Sequence, residues 1–159
     1  MSSPEPAPSR PQDPGAAALY DAVATEHATI FGYGIVSAHS TPDVNDLVSR
    51  AIAQHRKQRE AAIAMLKARS VAPPLAAPGY QLPMPVTDPD DAAALAVRME
   101  RDTATAWRAV LEQAPAGSGG DADRAFAAGA LTESAVFAAR WQQVLGAWPL
   151  TQAFPGGTE

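Results

Sequence analysis

The sequence predicts an all-α protein, folded as an antiparallel bundle of four helices. Four long segments carry apolar side chains at the three- and four-residue spacing of a helix face turned to a core. Alanine, a strong helix former, supplies much of the 47% of the chain that is hydrophobic. Prolines lie before, between and after these segments and not in their interiors. Together these three observations predict helices throughout the chain.

The four helices are expected at about residues 15–38, 43–70, 88–114 and 121–146. The dipeptides Thr41-Pro42 and Asp88-Pro89 each place a capping side chain before a proline at the first helical position. Asp121 is the expected cap of the fourth helix, and Gly146 or Pro149 ends it. The bundle therefore spans residues 16–148. Residues 1–15, with five prolines, are expected to be a disordered tail, and residues 149–159 a flexible C-terminal tail.

The lengths of the connections predict the topology. The first and third connections are short, so helices 1–2 and 3–4 should form antiparallel hairpins. The middle connection, residues 71–87, has five prolines in seventeen residues. Extended, it reaches roughly 50 Å, which exceeds the roughly 40 Å length of the second helix. It can therefore run the length of the bundle, with Tyr80, Leu82 and Met84 packed along it. Two hairpins joined by one long crossover is the ferritin-like arrangement.

Composition excludes several classes of function. The chain has no cysteine, which excludes disulfides, thiolate metal sites and cysteine nucleophiles. A net charge of −5 argues against a nucleic-acid partner. No segment approaches the roughly 20 consecutive apolar residues of a membrane span, so we expect no membrane association and a cytoplasmic location.

Glu26 is the first candidate functional residue. Positions 19, 23, 26, 30 and 33 are separated alternately by four and three residues, as on one face of a helix. The other four positions are Leu19, Val23, Ile30 and Tyr33, so Glu26 lies in the middle of an apolar stripe. A carboxylate in such a stripe is costly unless a metal, a cation or a proton meets it.

Four further residues point toward the same centre. His55 and Arg59 lie on the apolar face of the second helix, Glu100 on the flank of the third face, and Glu133 at the edge of the fourth. Ferritin-like bundles bind metals with Glu-x-x-His pairs, but the residues three after Glu60 and Glu133 are Ile63 and Val136. The metal-binding pairs are therefore absent.

Three interpretations of these residues remain open. Glu26, His55, Arg59, Glu100 and Glu133 can form a buried polar network, in which the guanidinium of Arg59 replaces the metals. Alternatively, Glu26, His55, Glu100 and Glu133 bind a metal such as iron or manganese. In the third interpretation, Glu100 and Glu133 are simply solvated.

The sequence resembles an actinobacterial family of uncharacterised ferritin-like proteins, a domain of unknown function. The segments that carry the resemblance are Ala18–Gly34, His55-Arg-x-x-Arg-Glu60 and Tyr80-x-Leu-Pro-x-Pro-Val86. The resemblance covers roughly residues 16–148 and implies a ferritin-like four-helix bundle without an established activity.

These observations favour a non-catalytic scaffold or protein-interaction module with no cofactor, whose expected partner is a second copy of the chain or another protein. The alternative is an iron or manganese oxidase or storage protein with an altered ligand set. The first hypothesis predicts that Arg59→Ala is strongly destabilising.

Overall fold

The computed structural model describes residues 6–157 and contains four long helices. They are α1 (Pro14–His39), α2 (Asn45–Lys67), α3 (Pro89–Gln113) and α4 (Asp121–Leu145), with short 3-10 turns at Pro42–Val44 and Gly117–Gly120. Residues 6–157 contain no β-strand. The predicted fold class, an all-α bundle of two hairpins joined by a long proline-rich crossover, is confirmed.

An Asp-Pro dipeptide starts both α1 and α3. The side chain of Asp13 accepts a hydrogen bond from the amide of Ala16 at 2.9 Å, and that of Asp88 accepts one from the amide of Asp91 at 2.8 Å. Each bond satisfies an amide that has no partner within its helix, and the following proline has no amide to satisfy. The other two starts differ from expectation, because 3-10 turns precede α2 and α4 and neither start has a side-chain cap.

Contacts between side chains show the relative direction of α1 and α3. Glu26 of α1 contacts Trp107 of α3, whereas Tyr33, two turns later on α1, contacts Glu100, two turns earlier on α3. The two helices are therefore antiparallel. Helix α1 also packs against α2, and α3 packs against α4. Helix α3 thus lies between α1 and α4.

The core consists of two apolar clusters at different heights in the bundle. The larger buried members of one cluster are Tyr33, Val36, Val48, Leu95, Phe137 and Trp141. Those of the other are Leu19, Val23, Leu66, Trp107 and Val110. Buried polar side chains lie between the two clusters along the helices, at Glu26, Thr29, His55, Glu100 and Thr103. The bundle therefore has a polar layer across its middle.

The crossover, residues 68–88, packs along the bundle as predicted. The ring of Tyr80 lies 5.4 Å, centroid to centroid, from that of Phe31 on α1. Leu82, Met84 and Val86 pack against the first apolar cluster. These contacts hold the extended segment beside α1 and α3. Helix α2 therefore terminates at one end of the bundle, and α3 begins at the opposite end.

The described parts of both tails contact the helices. Arg10 forms an ion pair with Asp21 of α1 at 2.7 Å. At the other end, the backbone at Gly156 lies so close to Ala104 of α3 that a Cβ there would be 2.7 Å from its carbonyl oxygen. The expectations for residues 1–5 and 158–159 fall outside the described residues. Within residues 6–157, no helix is long and apolar enough to cross a bilayer.

Candidate functional site

The centre of the polar layer is His55, which lies between two carboxylates. Its Nδ1 is 2.7 Å from Glu26 Oε2, and its Nε2 is 3.0 Å from Glu100 Oε1. Ionised carboxylates only accept hydrogen bonds, so both ring nitrogens must donate. The geometry therefore corresponds to a doubly protonated imidazolium.

Aromatic side chains donate further hydrogen bonds to the two carboxylates. Trp107 Nε1 donates to Glu26 Oε1 at 2.8 Å. The hydroxyl of Tyr33 donates to Glu100 Oε1 and itself accepts a bond from Trp141 Nε1 at 2.9 Å. These residues come from α1, α3 and α4, so the network that surrounds His55 joins all four helices. We refer to Glu26, Tyr33, His55, Glu100, Trp107 and Trp141 as the central network.

Burial and charge together determine the protonation of His55. The side chains of Glu26 and Glu100 are fully buried, and that of His55 is 1% exposed. Burial alone lowers the pKa of His55, but the hydrogen bonds and negative charges of Glu100 and Glu26 outweigh it and raise the pKa from 6.5 to about 10. For Tyr33, burial and the nearby Glu100 both raise the pKa of the hydroxyl well above its ordinary value. At neutral pH the network therefore contains an imidazolium and a protonated phenol.

A pair of threonines lies one helical turn from the carboxylates. Thr103 donates to the carbonyl of Met99 at 2.9 Å, and its oxygen is 3.0 Å from that of Thr29. Since the proton of Thr103 is already used, Thr29 is the donor in the second contact. The pair links α1 to α3 beside the central network.

Three buried polar side chains have atoms without a hydrogen-bond partner in the described part of the chain. They are Glu100 Oε2, Ser134 Oγ and both amide atoms of Gln58. Glu100 therefore uses one carboxylate oxygen for Tyr33 and His55, and leaves the other without a donor from residues 6–157.

The structure places Arg59 and Glu133 outside the central network. Arg59 pairs with its neighbour Glu60 at 2.7 Å. Four residues of helix turn Arg59 about 40° from the direction of His55, and its side chain is partly exposed and pairs with the exposed Glu60. Glu133 is exposed, because Ser134 occupies the inward position of α4. The imidazolium of His55, and not the guanidinium of Arg59, supplies the positive charge between Glu26 and Glu100.

Apolar periodicity alone assigns no polar role to Tyr33, Trp107 or Trp141. The available signal was their spacing. Tyr33 follows Glu26 by seven residues, and Trp107 follows Glu100 by seven, so each aromatic lies on the same helix face as a carboxylate. A buried tyrosine or tryptophan needs a partner for its polar atom, and the nearby carboxylates are suitable acceptors.

The side chains present do not fit a metal centre. Within residues 6–157, no group of three or more His, Asp and Glu side chains is arranged to hold a metal ion. A ligating histidine needs a free nitrogen lone pair, but both nitrogens of His55 face carboxylates within hydrogen-bond distance. Among the predicted ligands, Glu133 is exposed at the surface.

A cavity of about 540 Å³ adjoins the central network between α3 and α4. Leu150, Thr151, Gln152 and Pro155, which follow α4, form part of its wall, and Glu100 also lines it. Glu100 thus belongs both to the central network and to the cavity wall.

Comparison with known proteins places this architecture in a family. Residues 18–159 match the family described as Domain of unknown function (DUF4439). The chain belongs to this family. It is also similar to a conserved hypothetical protein of Mycobacterium tuberculosis, rv2844, whose crystal structure is known. The two chains are 62% identical with a TM-score of 0.79, over 89% of this chain and 96% of the mycobacterial one.

No curated protein matches the chain. Membership of DUF4439 confirms that the chain carries a domain of unknown function, and the mycobacterial relative agrees with the expected actinobacterial resemblance. Neither comparison supplies an activity, so the function of this DUF4439 protein has to be argued from its geometry.

Proposed function

We propose that this protein is a non-catalytic ferritin-like bundle in which a protonated histidine replaces the metal centre. The observation that carries the proposal is the double contact of His55, whose two nitrogens meet Glu26 and Glu100 from different helices. A metal ion between helices neutralises inward carboxylates and fixes the helices relative to one another. An imidazolium offsets part of the negative charge with one proton, links the helices and needs no cofactor.

Two features support the ferritin-like relationship. Two hairpins joined by a long crossover is the chain path of ferritin-like folds. Inward carboxylates at mid-height on α1 and α3 also match where such folds hold metal ligands. The histidines of the Glu-x-x-His pairs are replaced by Ile63 and Val136, and the remaining buried carboxylates are paired with His55.

Metal content tests the proposal directly. The wild-type chain would be incubated anaerobically with ferrous iron or with manganese, desalted and analysed by elemental mass spectrometry. Glu26→Gln serves as the network variant, and Glu133→Gln as the surface control. We expect no stoichiometric metal in any of the three. Stoichiometric metal in the wild type and the control, lost in Glu26→Gln, would contradict the proposal and favour the iron or manganese oxidase or storage function.

The protonation of His55 is a second, independent readout. In ¹⁵N NMR spectra of the imidazole groups, we expect both nitrogens of His55 to stay protonated from neutral pH to near pH 10, because of the raised pKa. His39, at the end of α1, is the internal comparison. If His55 loses a proton at its ordinary pKa of 6.5, the imidazolium does not replace a metal.

The proposed role lies in protein contacts, and a homodimer is the expected assembly. Large apolar side chains are exposed on α4 and after it: Val144 is 46% exposed, Trp148 80% and Phe154 71%. Apolar surface of this kind favours an interface. Sedimentation equilibrium of the wild type, Trp148→Ser and the crossover control Leu75→Ser tests this. We expect a dimer that Trp148→Ser alone weakens, whereas a monomeric wild type would contradict it.

A further inference from the structure

The cavity between α3 and α4 has the properties of a small-molecule site. Its volume of about 540 Å³ is within the range of about 300–1,000 Å³ that is typical of ligand sites. Most of its wall is apolar, and the small side chains along it leave room for a ligand body. The apolar members include Ala104, Leu131, Ala135, Ala139 and Leu150.

Glu100 gives this cavity a polar feature that a packing defect would lack. Its side chain is fully buried, and its Oε2 has no hydrogen-bond donor in residues 6–157. Its Oε1 is already occupied by Tyr33 and His55. A buried carboxylate oxygen without a donor is costly, so the oxygen that remains is available to a ligand that brings one.

The charges of the central network select the kind of polar group. Glu26 and Glu100 are two carboxyl groups, and His55 supplies one positive charge between them. A ligand that donates a hydrogen bond to Glu100, whether neutral or cationic, relieves the excess of acceptors. A carboxylate or another pure acceptor would increase that excess.

We propose that this cavity binds a small apolar molecule whose polar end is a hydrogen-bond donor, an amine or a hydroxyl group, held by Glu100 Oε2. The ligand body lies against the alanine-rich walls of α3 and α4, and Leu150, Thr151, Gln152 and Pro155 cover one side. Because Glu100 also contacts His55 and Tyr33, the ligand completes the hydrogen bonding of the network from the cavity side.

Two arginines in the cavity wall make a carboxylic acid a useful comparison for the amine and the alcohol. Arg101 and Arg140 also line the cavity, and a guanidinium binds carboxylates well. An acid held by these arginines would not need Glu100. The probes are therefore three compounds with the same ring: 2-phenylethylamine, 2-phenylethanol and 3-phenylpropionate. Their binding to the full chain is measured by isothermal titration calorimetry.

The variants separate the cavity from the network. Ala139→Phe fills the cavity and leaves Glu100 in place, and Ala128→Phe is the matched control at an exposed position of α4. Glu100→Gln tests the proposed contact. We expect the amine or the alcohol to bind at one site per chain. We expect Ala139→Phe to abolish binding, Ala128→Phe to preserve it, and Glu100→Gln to weaken it by about tenfold or more, as for a lost hydrogen bond to a charged group.

The arms of the experiment have distinct meanings. Preference for the amine identifies a cationic ligand, and equal binding of the alcohol identifies a neutral donor; both support the proposal. Three results contradict it: no binding of either donor at millimolar concentration, binding unaffected by Ala139→Phe, or 3-phenylpropionate that binds as tightly as the donors. None of these results alters the metal measurement, so the ligand proposal and the proposed function fail independently.

Discussion

His55 supplies the positive charge between Glu26 and Glu100, and replacing it with glutamine tests how much that charge stabilises the fold. Glutamine fills a similar volume but has a single amide nitrogen and no charge. It cannot donate to two carboxylates on opposite sides. The variant therefore leaves buried carboxylates without a cation, and we expect a large loss in the free energy of unfolding.

The magnitude follows from two arguments. The pKa of His55 rises from 6.5 to about 10, and each pH unit corresponds to about 1.4 kcal/mol, which gives about 5 kcal/mol of stabilisation of the charged form. Breaking a buried ion pair by removing one partner costs about 3–5 kcal/mol. We therefore expect His55→Gln to lose about 3–5 kcal/mol at neutral pH, or about 6–20 °C in Tm for a domain of this size.

The pH dependence has a definite sign. Because the pKa of His55 is higher in the folded than in the unfolded chain, its stabilisation is fully present below pH 6.5 and is lost as the pH rises toward 10. The difference between wild type and His55→Gln should therefore be largest at or below pH 6.5 and should shrink toward pH 10.

Urea unfolding followed by far-UV circular dichroism measures both effects. The matched control is His39→Gln at the end of α1, because its ring hydrogen-bonds the backbone carbonyl of Ile35 and no buried carboxylate. The control should change the free energy of unfolding by less than about 1 kcal/mol. A loss below about 1 kcal/mol in His55→Gln, or a difference from wild type that stays constant between pH 6.5 and 10, would refute the reasoning.

Two matched pairs of variants give further predictions, each measured by urea unfolding. Arg59→Ala should cost less than about 1 kcal/mol, because its ion pair is on the surface. Arg69→Ala should cost about 1–3 kcal/mol, because it strips the buried Asp123 of its partner; equal losses in the two would contradict this. Gly120→Ala should destabilise by about 1–3 kcal/mol or more, since its Cβ would lie 2.0 Å from a backbone oxygen of the preceding turn. Gly129→Ala has no described atom within 4 Å of the new Cβ and should stabilise α4 by about 0.5–1 kcal/mol; a loss there would contradict the helix argument.

The fold was predictable because its determinants are local. Helix periodicity, Asp-Pro starts and the length of the proline-rich segment act over a few residues, and each is readable without knowledge of the partners. The starts of α2 and α4 were predicted less accurately. Thr41-Pro42 begins a 3-10 turn, and α2 follows only at Asn45, because the cap-proline signal specifies a helical turn without fixing its hydrogen-bond pattern.

The site was predictable in part. Glu26, His55 and Glu100 were expected near one another, since each lies on or beside an apolar stripe. Which cation meets the carboxylates depends on helix rotation and on the reach of each side chain, and periodicity fixes rotation only to within tens of degrees. His55 and Arg59 differ by about 40° around α2. That difference separates a fully buried imidazole from a partly exposed guanidinium outside the network.

The central network also connects the two helical hairpins. Glu26 and His55 belong to the first hairpin, and Glu100 and Trp107 to the second. If the hairpins separated, Glu26 would lose the indole that donates to it, and Glu100 would lose its imidazolium. Separation would also expose the apolar faces of both hairpins to water, which is costly. We therefore expect the two halves to melt together, in one cooperative transition.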